Sequence, residues 1–190
     1  MLIGFGHRSG HGKDTAANYL VTHLNIMKPD IVIKKINLAD KLKDVAYDLY
    51  KWAGVKKAIY YENNRDARSL IIPELNCTVV DLWVDIGEKM REIYLKTWIK
   101  YVKQQGETCD ILISADVRHE NEIEIYDLVY KVENPRIPRR EGKSIDDNLE
   151  GFDAWSGVIL NSGDHGRLNR MMEGLAGVIL ESYKKNEAHK

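Results

Sequence analysis

The apolar positions along this chain follow two periods, and the alternation between them predicts its elements. Met1, Leu2, Ile3 and Phe5 open a short apolar run that breaks at the Gly-rich stretch G-H-R-S-G-H-G, residues 6–12. Ala16, Ala17, Leu20, Val21 and Leu24 then recur on one face of a helix. Ile31, Val32, Ile33, Ile36 and Leu38 read as a β-rich run ending at Ala39 and Asp40, and Leu42, Val45, Leu49 and Trp52 follow at helical spacing. Residues 54–76 are polar, aromatic and less regular. Two helical patterns come next: Val79, Val80, Leu82, Trp83 and Ile86 serve one, and Ile93, Trp98, Tyr101 and Val102 the other. The run C-D-I-L-I-S-A-D-V-R at 109–118 has the composition of a strand buried on both faces of a parallel sheet. Residues 128–132 and 157–160 read as further strands. Leu168, Met171, Met172, Leu175, Val178 and Ile179 line a last helix, and the polar tail from Lys184 onward is expected to fray.

About five apolar strands alternating with helices imply right-handed crossovers and a three-layer α/β/α sandwich around a mostly parallel sheet. At 190 residues the chain reads as one domain, long enough to bury a core. Net charge is −1, which argues against a nucleic-acid partner. Its two cysteines, Cys77 and Cys109, form no CxxC pair, so neither a disulfide scaffold nor a structural zinc site is expected. No apolar run approaches the ~20 residues of a membrane span, and the N-terminus shows no signal-peptide pattern. A cytosolic protein fits these features.

Chemistry concentrates where the first strand meets the first helix. Strand, glycine loop and helix in that order make an anion site, because helix N-terminal amides and the helix dipole favour negative charge. Gly10 and Gly12 let the backbone curl round a phosphate. Lys13 would reach the terminal phosphates, with Arg8 and His11 also in the loop, and Asp14 or Thr15 would handle Mg²⁺. Against the pattern G-x-x-x-x-G-K-[ST], His7 stands at the first glycine position and Asp14 at the hydroxyl position, with Thr15 next. His7 and His11 are expected along the loop's outer edge. A second carboxylate, Asp116, falls at the C-terminal end of the buried strand, where it would hold Mg²⁺ directly or through water.

The form G-K-D-T resembles the deoxynucleoside monophosphate kinases of bacteriophages, a branch of the P-loop kinases. Further phrases carry the resemblance: L-A-D-K-L-K at 38–43, with Lys41 where that family usually has proline; I-G-E-K-M-R-E-I at 86–93; D-V-R-H-E-N-E at 116–122; and V-I-L-N-S-G-D at 158–164. The resemblance spans residues 1–40 and about 82–180, with gaps. It implies a P-loop kinase fold and transfer of a phosphoryl group from ATP, with Mg²⁺, to a deoxynucleoside 5′-monophosphate. Arg118 would contact phosphate, and Asn121 and Glu122 would begin and orient the next helix. An insertion over about 54–105 would cover the acceptor, with Arg65, Arg68 and Arg91 as candidate substrate contacts. Asp40 is either a substrate-side residue or a helix N-cap. A lid over about 133–150 would bring Arg136, Arg139 and Arg140 to the moving phosphoryl group. Asn161 and Gly163 would lie beside the donor base. The partners implied are small nucleotides.

Two other readings stand beside this one. The scaffold could phosphorylate a different acceptor, such as a modified nucleotide, a base within DNA or another small phosphorylated metabolite. It could also be a non-catalytic ATP-binding module. Neither the accepted base nor the formation of a homodimer is legible in the sequence.

Overall fold

The computed structural model describes residues 1–138 and 148–187. In chain order the elements are β1 (Leu2–Gly6), α1 (Lys13–Met27), β2 (Ile33–Ile36), α2 (Leu38–Tyr50), α3 (Ala58–Asn63), β3 (Ile71–Ile72), β4 (Cys77–Thr78), α4 (Val79–Ile93), α5 (Thr97–Gly106), β5 (Ile111–Val117), α6 (Glu120–Ile123), β6 (Leu128–Glu133), β7 (Gly157–Leu160) and α7 (His165–Glu187). The chain divides into two compact units, one of Met1–Ile36 with Val102–Lys190 and one of Asn37–Tyr101. The segment expected as an insertion over about 54–105 falls largely in the second, which begins earlier, at Asn37.

The first unit is built on a five-stranded sheet in the order β2-β5-β1-β6-β7, and all of its pairings are parallel. Helices flank this sheet, an α/β arrangement compatible with three layers. Ile3 and Phe5 of β1, Ile111, Ile113 and Ala115 of β5, and Val132 and Ile159 bury their side chains with Ala16, Ala17, Leu20 and Leu24 of α1. Leu168, Met172, Ala176 and Ile179 of α7 complete that core. On β1 the alternate positions Leu2, Gly4 and Gly6 point the other way. There Leu2 lies against Gly106 of α5, the Tyr126 ring against Gly4, and the Trp155 ring against Gly6. A Cβ at Gly4 would stand 2.9 Å from Val117 Cγ2 and 3.1 Å from the Tyr126 ring, and one at Gly6 2.8 Å from the Trp155 ring, so the strand carries no side chain on that face from Gly4 to the loop. None of the described helices is long and apolar enough to cross a membrane.

One feature of the sheet has no counterpart in the hydrophobic pattern. Gly4 pairs with Ser114, but Gly6 pairs with Val117, so β5 carries an extra residue opposite Phe5. This bulge lies at Ala115 and Asp116, beside the start of the Gly-rich loop. Bulges of this kind re-aim side chains at the ends of strands.

The second unit packs Ala46, Ala53, Val55, Tyr61, Ile72, Val79 and Leu82 into a core of its own. The stretch that looked irregular contains α3, a 3₁₀ turn at Arg65–Ser69 and β3, which pairs with β4 just beyond it. Thr78 and Asp81 form a capping box that starts α4, the Thr78 hydroxyl accepting from the Asp81 amide and the Asp81 carboxylate from the Thr78 amide.

Several boundaries differ from the periodic reading. β2 is confined to Ile33–Ile36 and α2 begins at Leu38, with Asn37 between them as the extended N-cap of the helix. Leu49 and Trp52, expected on the buried face of that helix, are exposed, as are Ile93 and Val178. Trp52 stands in a 3₁₀ turn with its indole N–H donating to the Leu49 carbonyl, which takes it off the helical period. Trp98 is buried, as its position suggested. At the other end of the chain α7 continues to Glu187, so residues 184–187 are helical rather than frayed.

Candidate phosphate-binding site

The Gly-rich loop joins β1 to α1 in the first unit. Gly10 and Gly12 have φ of 82° and 94°, both in the left-handed region that favours glycine. His7 has φ of 92°, so it adopts the backbone conformation of the glycine it replaces, at a cost of about 1–2 kcal/mol for a residue with a Cβ. Gly12 is the N-cap of α1 and offers no side-chain acceptor to the first-turn amides. A helix start without a capping side chain leaves its first-turn amides to water or to an anion.

Lys13, the first residue of α1, is 5% exposed. Its ammonium bends back over the loop and donates to the carbonyls of His7 at 2.8 Å and Arg8 at 2.5 Å. Burial of a lysine requires such partners, and charge-assisted bonds to carbonyls meet the need. The positive charge is thus held at the loop itself. Arg8 pairs with Glu150 at 2.6 Å.

His7 and His11 are 5% and 2% exposed, which corrects their expected place at the loop's outer edge. Their rings meet edge-on at 5.5 Å between centroids. Burial lowers the His7 pKa to about 4, aided by the positive charges of Lys131 and Arg8 and by His11, with Glu133 opposing. His7 is therefore neutral at physiological pH. The His11 Nδ1 accepts the Asn134 amide proton at 3.0 Å, so this nitrogen carries the lone pair and a neutral His11 has its proton on Nε2.

Asn161, at the end of β7, reaches the same loop. Its Nδ2 donates to the His11 carbonyl at 2.9 Å, its Oδ1 accepts from the Gly163 amide at 3.0 Å, and its backbone N–H donates to the Glu133 carbonyl at 2.8 Å. A Cβ at Gly12 would stand 2.3 Å from that Nδ2. Gly163 itself has φ of 82°, and an Arg136 Nη1 lies 3.5 Å from where its Cβ would be. The Arg136 amide donates to the Asn134 side chain at 3.0 Å.

Of the candidate metal ligands, Asp14 is drawn toward β2, its carboxylate 2.8 Å from the Lys35 ammonium and its side chain 65% exposed. Thr15 is half-buried in the first turn of α1. Asp116 is half-buried within the bulge of β5 and accepts the Ser114 hydroxyl at 3.1 Å. Just beyond it the buried Glu122 accepts from the amides of Arg118 and His119 at 2.9 and 3.2 Å, which shapes the turn into α6. Among the described residues no group of three or more His, Cys, Asp or Glu side chains is placed to hold a metal ion.

The remaining candidates lie in the second unit. Asp40 occupies the first turn of α2, three residues past the N-cap Asn37, and pairs with Lys43 at 3.3 Å. It is therefore neither at a strand end nor a helix cap. Arg68 Nε donates to the Tyr61 carbonyl at 2.9 Å and Arg91 pairs with Glu88 at 3.0 Å, while Arg65 is exposed. Arg139 and Arg140, with the rest of residues 139–147 of the expected lid, lie outside the described residues.

Sequence reading missed Asn134, Glu150, Lys35 and Trp155 as parts of this site. Each contacts the loop or its neighbours from a distant part of the chain, or through a backbone atom that no motif records. Compared with known proteins, the chain matches no family model and no curated sequence.

Proposed function

We propose that this chain transfers the γ-phosphoryl group of ATP to a deoxynucleoside 5′-monophosphate on a P-loop kinase fold. The observation that carries the phosphate half is the loop between β1 and α1, where left-handed turns at His7, Gly10 and Gly12 surround a buried Lys13 ammonium. The acceptor half rests on the resemblance of the G-K-D-T, D-V-R-H-E-N-E and V-I-L-N-S-G-D phrases to the phage kinases.

In this reading an oxygen of the acceptor monophosphate attacks the γ-phosphorus in line, the bond to the β–γ bridging oxygen breaks, and ADP leaves with that electron pair. Lys13 and the first-turn amides stabilise charge on the transferred group. Arg118 and Arg136 are the described arginines that would neutralise the charge developing around it. Mg²⁺, which binds through one or two protein oxygens together with substrate phosphates, supplies charge neutralisation. Asp116 and Thr15 fit that need. Asp14 fits it less well, because Lys35 already engages its carboxylate.

A coupled assay of ADP release with each of the four dNMPs tests the proposal. ADP is expected with at least one dNMP, and only when ATP and Mg²⁺ are both present. ATP binding without ADP formation above the acceptor-free background for any of the four would overturn it.

A further inference from the structure

We infer that Asn134 and Asn161, at the ends of β6 and β7, are positioning residues that set the curvature of the Gly-rich loop by clamping His11. The inference rests on the phosphate-loop reading above and assigns Asn161 a role other than contact with the donor base.

Both bonds to His11 have a fixed sense. A backbone N–H can only donate, so the Asn134 amide requires the unprotonated Nδ1 of His11. A carbonyl can only accept, so the His11 oxygen requires the NH₂ end of the Asn161 amide. The Gly163 N–H then takes the Oδ1 end, and the two partners together exclude the flipped amide. His11 is thus held by its ring on one side and by its main chain on the other. The residue after it is Gly12, the N-cap of α1. Fixing the His11 carbonyl fixes the plane of the His11–Gly12 peptide, and with it the direction of the Gly12 N–H. The Asn161 amide also fills the space where a side chain at position 12 would go.

Asn161 has its backbone N–H, Nδ2 and Oδ1 each engaged within the protein. These bonds orient the Asn161 side chain toward the loop and the Gly163 turn. Asn134 and Asn161 also shape the turns that carry Arg136 and Gly163. The loop and the Arg136 turn are therefore braced by the same pair of residues. The ligand whose binding depends on this brace is the polyphosphate chain, not the nucleoside.

The test uses the whole protein and its Asn161→Leu variant, a neutral replacement of similar size that adds no charge near a phosphate. Binding of ATP and of inorganic tripolyphosphate is measured by calorimetry, with a thermal melt to check folding. Positioning predicts that both ligands weaken in the variant by about tenfold. A loss confined to ATP would assign Asn161 to the base and overturn the inference, as would unchanged affinity for both. If the parent protein binds neither ligand, the phosphate-loop reading itself falls, and this inference with it. Hydrogen exchange in the parent keeps the inference testable should the variant not fold. Tripolyphosphate should slow exchange at the Asn134 and Gly163 amides, and unchanged exchange there would reject the clamp.

Discussion

Substituting Gly12 by alanine tests the packing of the loop with a magnitude that can be worked out in advance. Two separate costs arise. Position 12 has φ of 94°, and a residue with a Cβ pays about 1–2 kcal/mol to stay in that region. The new Cβ would also stand 2.3 Å from the Asn161 Nδ2, a separation that no rotamer of alanine relieves. Asn161 must swing away, giving up its bonds to the His11 carbonyl and the Gly163 amide. At about 1 kcal/mol net for each bond, this adds about 2 kcal/mol, for a total near 3–4. Gly151 supplies the reference, because its φ of 84° is similar and nothing lies within 4 Å of its Cβ position. Gly151→Ala should therefore cost only the conformational part, about 1–2 kcal/mol. Both variants belong to the first unit, so denaturant unfolding is best followed by hydrogen exchange at β1 and β5 amides. An excess of about 2 kcal/mol for Gly12→Ala over Gly151→Ala is expected. Equal costs would refute the placement of Asn161 against the loop.

Lys13→Ala should lower kcat by roughly 10²–10³ through loss of a charge-stabilising donor. It should also lower stability by about 1.5–3 kcal/mol, because the carbonyls of His7 and Arg8 lose a charged donor. A variant that melts like the parent would contradict the buried geometry, and one that turns over like the parent would contradict the catalytic role. For His7 the prediction concerns pH. Its pKa is about 4 when folded against the usual 6.5, so the unfolded chain binds more protons between those values. Stability should therefore fall as pH drops from 6.5 towards 4, with no contribution from His7 above that window. His7→Asn, which tolerates positive φ, should flatten this part of the stability profile, and an identical slope in both proteins would show that His7 is not held neutral.

Local order was legible wherever one period ran long enough. β1, β5, β6 and β7, together with α1, α4 and α7, were readable because side-chain alternation and helical spacing are properties of neighbouring residues. The loop chemistry at Gly10, Gly12 and Lys13 was readable for the same reason, since the conformational freedom of glycine and the reach of lysine do not depend on distant parts of the chain. Short pieces were not. The β3–β4 hairpin has two residues on each strand, too few to show a period, and β2 ended at Ile36, before the apolar run did.

The sequence by itself determined an α/β chain with a strand–glycine loop–helix at its start and a carboxylate at the end of a buried strand. Tertiary structure decided which residues meet. The sheet order places β5 beside β1, more than a hundred residues away in the chain, and the bulge there sets Asp116 next to the loop. It also turned Asp14 towards Lys35 and moved the two histidines from the expected rim into the interior. Asn161, read from sequence as a base contact, hydrogen-bonds the His11 carbonyl because β7 ends where His11 and Gly12 turn. These outcomes depend on which strands become neighbours and how their ends are staggered. That is settled by burial across the whole sheet, and no local period encodes it.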